Sequence, residues 1–404
     1  MRCKHGHGPV QALKASSLGA RAHIEHLQRP PRLPVTGQHV QRSRIETSPR
    51  VEMSRSAIEV VACESRECTQ YVPKMNENDA VIFRRPASSG LESKETKQRV
   101  ECMGRVSNMS ELATEQLAAI SRLFSSSVVQ EMAKKGRSPL FARLASQSRL
   151  QSFLLPSARV SALFDAAFAL LKQEGYRHEY IYRAALTHKI LLGKHSLQTA
   201  SMMNEFRVGE CKADVAILNG TATVYEIKSE RDSLSRLERQ VSAYATVFAK
   251  VYVIAAESHV HAIAKTVPDF VGILRLNGRH HISTMREAID QPERTSSSAI
   301  FDSIRTAEAR TILSSLGVTI PPVPNTALHP VLRDEFLKLT PVQAHAGMVR
   351  VLKQTRNLLP LSTLVSQLPH SLQTAALSVP LRKADHERLV TAVNSSLQDA
   401  MGWA

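Results

Sequence analysis

Apolar and polar residues alternate with a period of two from Asn204 to Ser229, and this pattern constrains the fold more than any other feature of the chain. The alternation is typical of half-buried β-strands, because successive side chains of a strand point to opposite faces. Turn signals at Gly209-Glu210 and Asn219-Gly220 divide the stretch into three segments. We therefore expect three antiparallel strands.

The alternation predicts one apolar and one charged face for these strands. The apolar face would carry Phe206, Val208, Val215, Ile217, Tyr225 and Ile227. The charged face would carry Glu205, Arg207, Asp214, Glu226 and Lys228.

The first turn sets the pairing of the first two strands. A two-residue turn at Gly209-Glu210, with glycine at its first central position, pairs Val208 with Cys211. Residues that lie directly opposite in an antiparallel pair share a face. Glu205 and Asp214 would then lie opposite each other.

The second turn decides whether Asp214 reaches Glu226. A two-residue turn at Asn219-Gly220 would place Asp214 opposite Tyr225, on the wrong face. A three-residue loop that includes Thr221, with a bulge, would place it opposite Glu226. The functional interpretation therefore predicts the longer loop.

Carboxylates on one face repel each other and raise one another's pKa values unless a cation lies among them. Oxygen ligands favour a hard ion, so Asp214, Glu226 and Glu205 are candidate ligands for Mg²⁺ or Mn²⁺. Lys228 lies two residues after Glu226 and would orient the attacking water and stabilise charge on a phosphate.

A simpler alternative also fits the pattern. The charges would form the solvated outer face of an antiparallel sheet, with Arg207, Lys212 and Lys228 paired to the carboxylates.

Asp214, eleven intervening residues and Glu226-Ile227-Lys228 resemble the PD-(D/E)XK motif of the restriction-endonuclease-like nuclease superfamily, with Ala213 in place of the proline. Gln240 and Tyr244 resemble the QxxxY element that follows this motif in RecB-type members. A longer stretch, from about Tyr176 to Ile289, is similar to a largely uncharacterised bacterial family within the superfamily.

The resemblance implies an α/β fold with a mixed four- to five-stranded sheet flanked by helices. Helices are expected near Tyr176–Leu192 and Ser233–Phe248, and a continuous apolar run at Val251–Ala256 predicts an interior strand. Gly272–Leu276 is a candidate for one more strand.

The resemblance also implies roles for individual residues. Asp214, Glu226 and Lys228 would be catalytic, and Gln240 and Tyr244 would support the substrate or the site. A further carboxylate would come from Glu205 or from Glu179, which lies on the helix before the first strand. A helix-surface ion pair between Glu179 and Arg183 is the alternative for Glu179.

The spacing of apolar residues and the composition predict three further regions outside this core. Residues 110–175 and 291–404 show helical spacing, which predicts a helical cap before the core of residues 176–290 and a helical C-terminal region after it. Residues 1–109 have few sustained apolar periods and are expected to be a mostly disordered leader. Residues 1–50 hold nine Lys or Arg and two acidic residues, so this leader is basic.

The formal net charge of +16 favours a polyanionic partner, because basic surfaces gain affinity for phosphates through counterion release. We expect nucleic acid, DNA rather than RNA, and no membrane; homodimer formation stays open.

The chain has no secretory signal and no apolar run of transmembrane length, which favours a cytoplasmic protein. The five cysteines form no CxxC pair and indicate neither a structural zinc site nor a disulfide framework.

These observations lead to two hypotheses. The first is a bacterial magnesium-dependent nuclease, either an endonuclease or an exonuclease, that hydrolyses DNA phosphodiester bonds in defence, repair or mobile-element biology. The second is a non-catalytic module on a nuclease fold that binds nucleic acid or a protein.

Overall fold

A six-stranded mixed sheet lies at the centre of residues 112–404, which are the residues that the computed structural model describes and which belong to one compact unit. The strands follow each other across the sheet in chain order. The third and fifth strands both pair in parallel with the fourth, and the other three pairings are antiparallel. The strands are β1 (Ser201–Val208), β2 (Cys211–Asn219), β3 (Thr221–Lys228), β4 (Lys250–Ala255), β5 (Gly272–Leu276) and β6 (Ile282–Arg286).

The α/β class is as expected, but the expected number of strands, four to five, is wrong. The additional strand is β6, which pairs antiparallel with β5 at the edge of the sheet. Its sequence, ISTMR, is short and mainly polar, and none of its residues is buried. A strand of this kind shows no clear alternation of apolar and polar residues, so only its backbone pairing with β5 identifies it.

The β1–β2 and β2–β3 connections have the expected register. Val208 pairs with Cys211 across the first turn. In the second hairpin, Leu218 pairs with Ala222 and Asn219 with Thr221, so Gly220, with a φ of 73°, is the residue between the two strands. Continued along the strands, this register places Asp214 opposite Glu226. The register that the longer loop predicted is confirmed, but the predicted bulge is absent from the β2–β3 pairing.

The expected division into one apolar and one charged face is wrong. Both faces of the sheet are covered, and each contributes to a separate hydrophobic cluster. Phe206 and Val208 belong to one cluster, whereas the other four residues of the predicted apolar face belong to the other: Val215, Ile217, Tyr225 and Ile227.

A local break in β1 explains this exchange of faces. Glu205 adopts a φ of 54°, in the left-handed region that non-glycine residues rarely occupy. Met203 and Phe206, three residues apart, consequently pack into the same cluster. In β2, Ala213 and Ala216 lie on either side of Asp214 and likewise pack into one cluster. Simple period-two alternation fails at this point of both strands.

The helices that flank the site are shorter than the sequence predicts. The helix expected at Tyr176–Leu192 spans Glu179–Leu186 and continues as a π-helical turn at Thr187–Leu191. The helix expected at Ser233–Phe248 spans Leu237–Ala245. The two predicted strands after it correspond to β4 and β5.

The residues on either side of the sheet are helical. The helices before β1 are α1 (Thr114–Arg122), α2 (Ser126–Lys135), α3 (Pro139–Ser148), α4 (Val160–Leu171) and α5 (Glu179–Leu186). Those between β3 and β5 are α6 (Leu237–Ala245) and α7 (Glu257–Thr266). Those after β6 are α8 (Ser297–Ser303), α9 (Thr306–Ser315), α10 (Asn325–Leu337), α11 (Pro341–Thr355), α12 (Ser362–Gln367), α13 (His370–Leu377), α14 (Lys383–Asn394) and α15 (Leu397–Met401).

The helical flanks share their cores with the sheet. Side chains of α1–α5 and α12–α15 pack with Val215, Ile217 and Tyr225 on one face. Side chains of α6 and α8–α11 pack with Phe206 and Val224 on the other. The expected leader, residues 1–109, lies outside the described residues. No helix within residues 112–404 has the length and apolar character needed to cross a membrane.

Candidate active site

Glu226 and Lys228 form a buried ion pair on β3. Glu226 is 2% exposed and Lys228 is 7% exposed, and Lys228 Nζ lies 2.8 Å from Glu226 Oε1. Removing two charges from water is costly unless each has good partners. A solvated outer face therefore does not describe these two residues.

Helix α6 supplies the remaining partners of this pair. Lys228 Nζ donates to Gln240 Oε1 at 3.0 Å. The Tyr244 hydroxyl lies 2.9 Å from both Glu226 Oε2 and the Lys212 carbonyl oxygen. Burial and the Glu226 carboxylate raise the pKa of Tyr244, which keeps its hydroxyl protonated as a donor. The two residues of the QxxxY element thus contact the two charged residues of β3.

Asp214 lies beside this pair on β2, where its Oδ2 accepts a 2.7 Å hydrogen bond from the Ile227 backbone N–H. Burial raises the pKa of Asp214 to about 7, and the Glu226 and Glu179 carboxylates also raise it. The Ile227 hydrogen bond and Lys228 oppose this increase. Near neutral pH this carboxyl group is therefore only partly ionised, and a nearby cation would favour its charged form.

Glu205 does not join the other carboxylates. It lies opposite Asp214 in the β1–β2 register, between the pairs Asn204–Val215 and Phe206–Ala213. Its side chain, however, is 61% exposed and forms a 2.9 Å ion pair with Lys212. The surface alternative describes Glu205, and the expectation that it completes a three-carboxylate group is not met.

Glu179 is also on the surface, but its charge affects the pKa of Asp214. It begins α5 and forms the expected ion pair with Arg183, four residues later. Its side chain is half exposed. Because its carboxylate contributes to the raised pKa of Asp214, Glu179 is electrostatically coupled to the site.

Asp214 and Glu226 are suitable donors for a divalent cation. Mg²⁺ is usually bound by one or two carboxylates, with water and substrate phosphate as the other ligands. Burial and the Glu226 carboxylate raise the pKa of Asp214, so a cation bound between the two would favour the charged form of Asp214. No group of three or more His, Cys, Asp and Glu residues within residues 112–404 is arranged to hold a metal.

A cleft of about 290 Å³ adjoins the two surface carboxylates, and sequence patterns did not reveal it. Its walls come from α1, α2, α5, β1 and α13, segments that are far apart in the chain. We call it the flank cleft, and its lining residues are Ser121, Phe124, Ser125, Ser126, Glu179, Tyr180, Arg183, Asn204, Glu205, Ala375, Ser378 and Val379.

Comparison with known proteins finds one family over the region that contains the site. The family described as bacteriophage P4 protein cII matches residues 172–354. Protein cII of Enterobacteria phage P4 is 30% identical to this chain over 135 residues, which are 32% of this chain and 50% of the phage protein. The chain thus spans about half the length of this curated relative. No solved structure matches the chain.

Proposed function

We propose that the protein is a metal-dependent nuclease that hydrolyses phosphodiester bonds of DNA, on a restriction-endonuclease-like core. The observation that carries the proposal is the buried, hydrogen-bonded Glu226–Lys228 pair beside Asp214. Lys and Glu are rarely fully buried unless they are paired, and perturbed carboxyl pKa values concentrate at active sites.

Each residue has a role that follows from its position. Asp214 and Glu226 would hold Mg²⁺ or Mn²⁺, which when bound would supply Lewis-acid stabilisation of the phosphate. Lys228 would donate from Nζ to the negative charge that develops on the phosphate. Gln240 and Tyr244 would position Lys228 and Glu226 through the hydrogen bonds already formed.

The remaining features agree with a nucleic-acid substrate. The net charge of +16 favours binding to a phosphate backbone. A similar sequence in a bacteriophage favours a role in mobile-element biology over defence or repair. We propose DNA as the partner, the cytoplasm as the compartment, and either endonuclease or exonuclease activity.

A non-catalytic nucleic-acid-binding module is the second candidate. Lys228 Nζ donates to both Glu226 and Gln240, which occupies two of its three N–H donors within the protein. Such a network also stabilises a fold that binds without cleaving. The two candidates differ in whether a divalent metal and Asp214 are required.

Cleavage assays on the full-length protein distinguish these candidates. With Mg²⁺ or Mn²⁺, the protein should cut linear and plasmid DNA, and Asp214→Asn should reduce the rate at least ~100-fold, since metal-ion stabilisation is worth several kcal/mol. Asp214→Asn is preferred to Glu226→Gln because it leaves no unpaired buried lysine. Glu238→Gln, an exposed position on α6, is the matched control. Binding without metal-dependent cutting would favour the non-catalytic module.

A further inference from the structure

The flank cleft contains buried polar atoms without protein partners. Asn204 Oδ1 and Arg183 Nε are both buried, and neither has a hydrogen-bond partner within residues 112–404. The Asn204 amide nitrogen is fixed by a 3.1 Å hydrogen bond to Ser378 Oγ. Both residues line the cleft. Buried polar groups are normally hydrogen-bonded, so these two atoms indicate a polar ligand.

An aromatic pair forms a rigid wall of the cleft. The rings of Phe124 and Tyr180 are stacked with centroids 4.4 Å apart and an interplanar angle of 17°. The Tyr180 hydroxyl donates a 2.6 Å hydrogen bond to the Ser371 carbonyl, which fixes the ring. A wall of this kind provides apolar contact for a planar group, while Asn204 and Arg183 provide polar contacts.

The cleft reaches the proposed catalytic residues from one side. Glu179 lines the cleft on α5. Glu205, which also lines it, lies opposite Asp214 in the strand register. A ligand in the cleft would therefore contact the segment of β1 that pairs with β2 at Asp214.

We propose that the flank cleft binds one unpaired nucleotide, so that the substrate is single-stranded DNA or DNA with an unpaired nucleotide beside the scissile phosphate. This inference rests on the proposed nuclease function. The volume of about 290 Å³ lies just below the range of small-molecule pockets, ~300–1,000 Å³, and suits a single nucleotide rather than a base pair. Unpaired bases are recognised through their hydrogen-bonding edges and stacking faces, which matches the lining.

The test uses a tryptophan placed at the rim. Ser126 lines the cleft and is exposed, so Ser126→Trp should obstruct the cavity without disturbing the core. Ser127 is also exposed but does not line the cleft, which makes Ser127→Trp the matched control. Asn204→Leu removes the unpartnered acceptor as a second, chemically different change.

Binding is measured by fluorescence anisotropy with the full-length protein, calcium ions and a labelled DNA oligonucleotide, either single-stranded or as a duplex at equal ionic strength. We expect the single strand to bind more tightly than the duplex. Ser126→Trp should raise the Kd for the single strand about tenfold, the order of one lost base contact. Ser127→Trp should leave it unchanged, and duplex binding should be the same for both variants.

Equal effects of Ser126→Trp and Ser127→Trp, or equal affinity for single strand and duplex, would overturn the inference. Cleavage assays on the same samples separate it from the proposed function. A nuclease whose cutting of single strands is unaffected by Ser126→Trp would retain the function and lose the inference. Cleft-dependent binding of single strands without any cutting would retain the cleft as a nucleotide site and reject the nuclease.

Discussion

Asp214 is the residue whose ionisation is most closely tied to the proposed site. Its pKa is raised to about 7, chiefly by burial, while an unperturbed aspartate titrates near ~3.9. Between these values the folded state holds a proton that the unfolded state has lost. This group therefore favours folding at low pH, and its contribution declines as pH rises from about 4 to about 7.

The substitution Asp214→Asn should remove this pH dependence. In metal-free buffer at pH 8 we expect the variant to be more stable than the wild type by on the order of 1–3 kcal/mol, since one pKa unit corresponds to about 1.4 kcal/mol. At pH 4 the two proteins should be alike. Thermal unfolding across this pH range measures the difference, with the exposed Asp334→Asn as control. A variant less stable at pH 8 would contradict the raised pKa.

Metal binding at the same residue gives a prediction that does not depend on activity. A ligand that binds only the folded state stabilises it by about 2.7 kcal/mol at a hundred times its Kd. Mg²⁺ or Mn²⁺ should therefore raise the Tm of the wild type at pH 8, and removal with EDTA should reverse the rise. Asp214→Asn should not respond. An equal rise in both proteins would place the metal elsewhere.

At the scale of elements, the close approach of β4 and β5 limits which residues these strands accept. A Cβ added at Gly272 would lie 2.2 Å from the ring of Tyr252 and 2.7 Å from the Ala288 backbone nitrogen. The ring of Tyr252 is also stacked on Tyr225 of β3, with centroids 5.5 Å apart. The ring therefore has little freedom to move away, and only glycine fits this position.

We expect Gly272→Ala to destabilise the protein by ~1–3 kcal/mol, the range for overpacked sites. Gly278→Ala is the matched control, because the nearest atom to its added Cβ is Arg177 Nη2 at 3.8 Å. Urea unfolding of both variants measures the difference. Equal midpoints would show that Tyr252 relaxes without cost.

Much of the fold could be predicted from the strand, turn and helix patterns of the sequence. The alternation in β1–β3, the apolar run of β4 and the helical spacing of α6 are local signals, and each corresponds to an element. The alternation could not predict the exchange of faces at Glu205, because the backbone there is held in a left-handed conformation within the assembled sheet. It could not predict β6 either, whose pairing with β5 defines it.

At the scale of the whole molecule, the cap, the sheet and the C-terminal helices are expected to unfold together. Helices from both flanks share one hydrophobic cluster with the sheet. Trp403 near the C-terminus packs on Phe141 of α3, with ring centroids 5.7 Å apart. It is the single tryptophan of the chain, so its fluorescence reports on this contact alone.

The urea transition of Trp403 fluorescence should coincide with the loss of hydrogen-exchange protection in β4, which lies in the middle of the sheet. Both measurements are made on the full-length protein. A fluorescence transition at clearly lower urea would show that the flanks unfold before the sheet, and that the shared cluster does not couple them.

The sequence by itself determined strands β1–β5, the register of the first hairpin, and the helix that carries Gln240 and Tyr244. These follow from the periods of strands and helices and from turn lengths, which are local properties of the chain. The register of the second hairpin, which brings Asp214 opposite Glu226, was chosen on functional grounds between two possible turn lengths. Only the tertiary structure decided that Glu226 and Lys228 are buried while Glu205 is exposed. It alone formed the flank cleft, because contacts such as Asn204 with Ser378 join residues 174 positions apart, and no local pattern encodes such a distance.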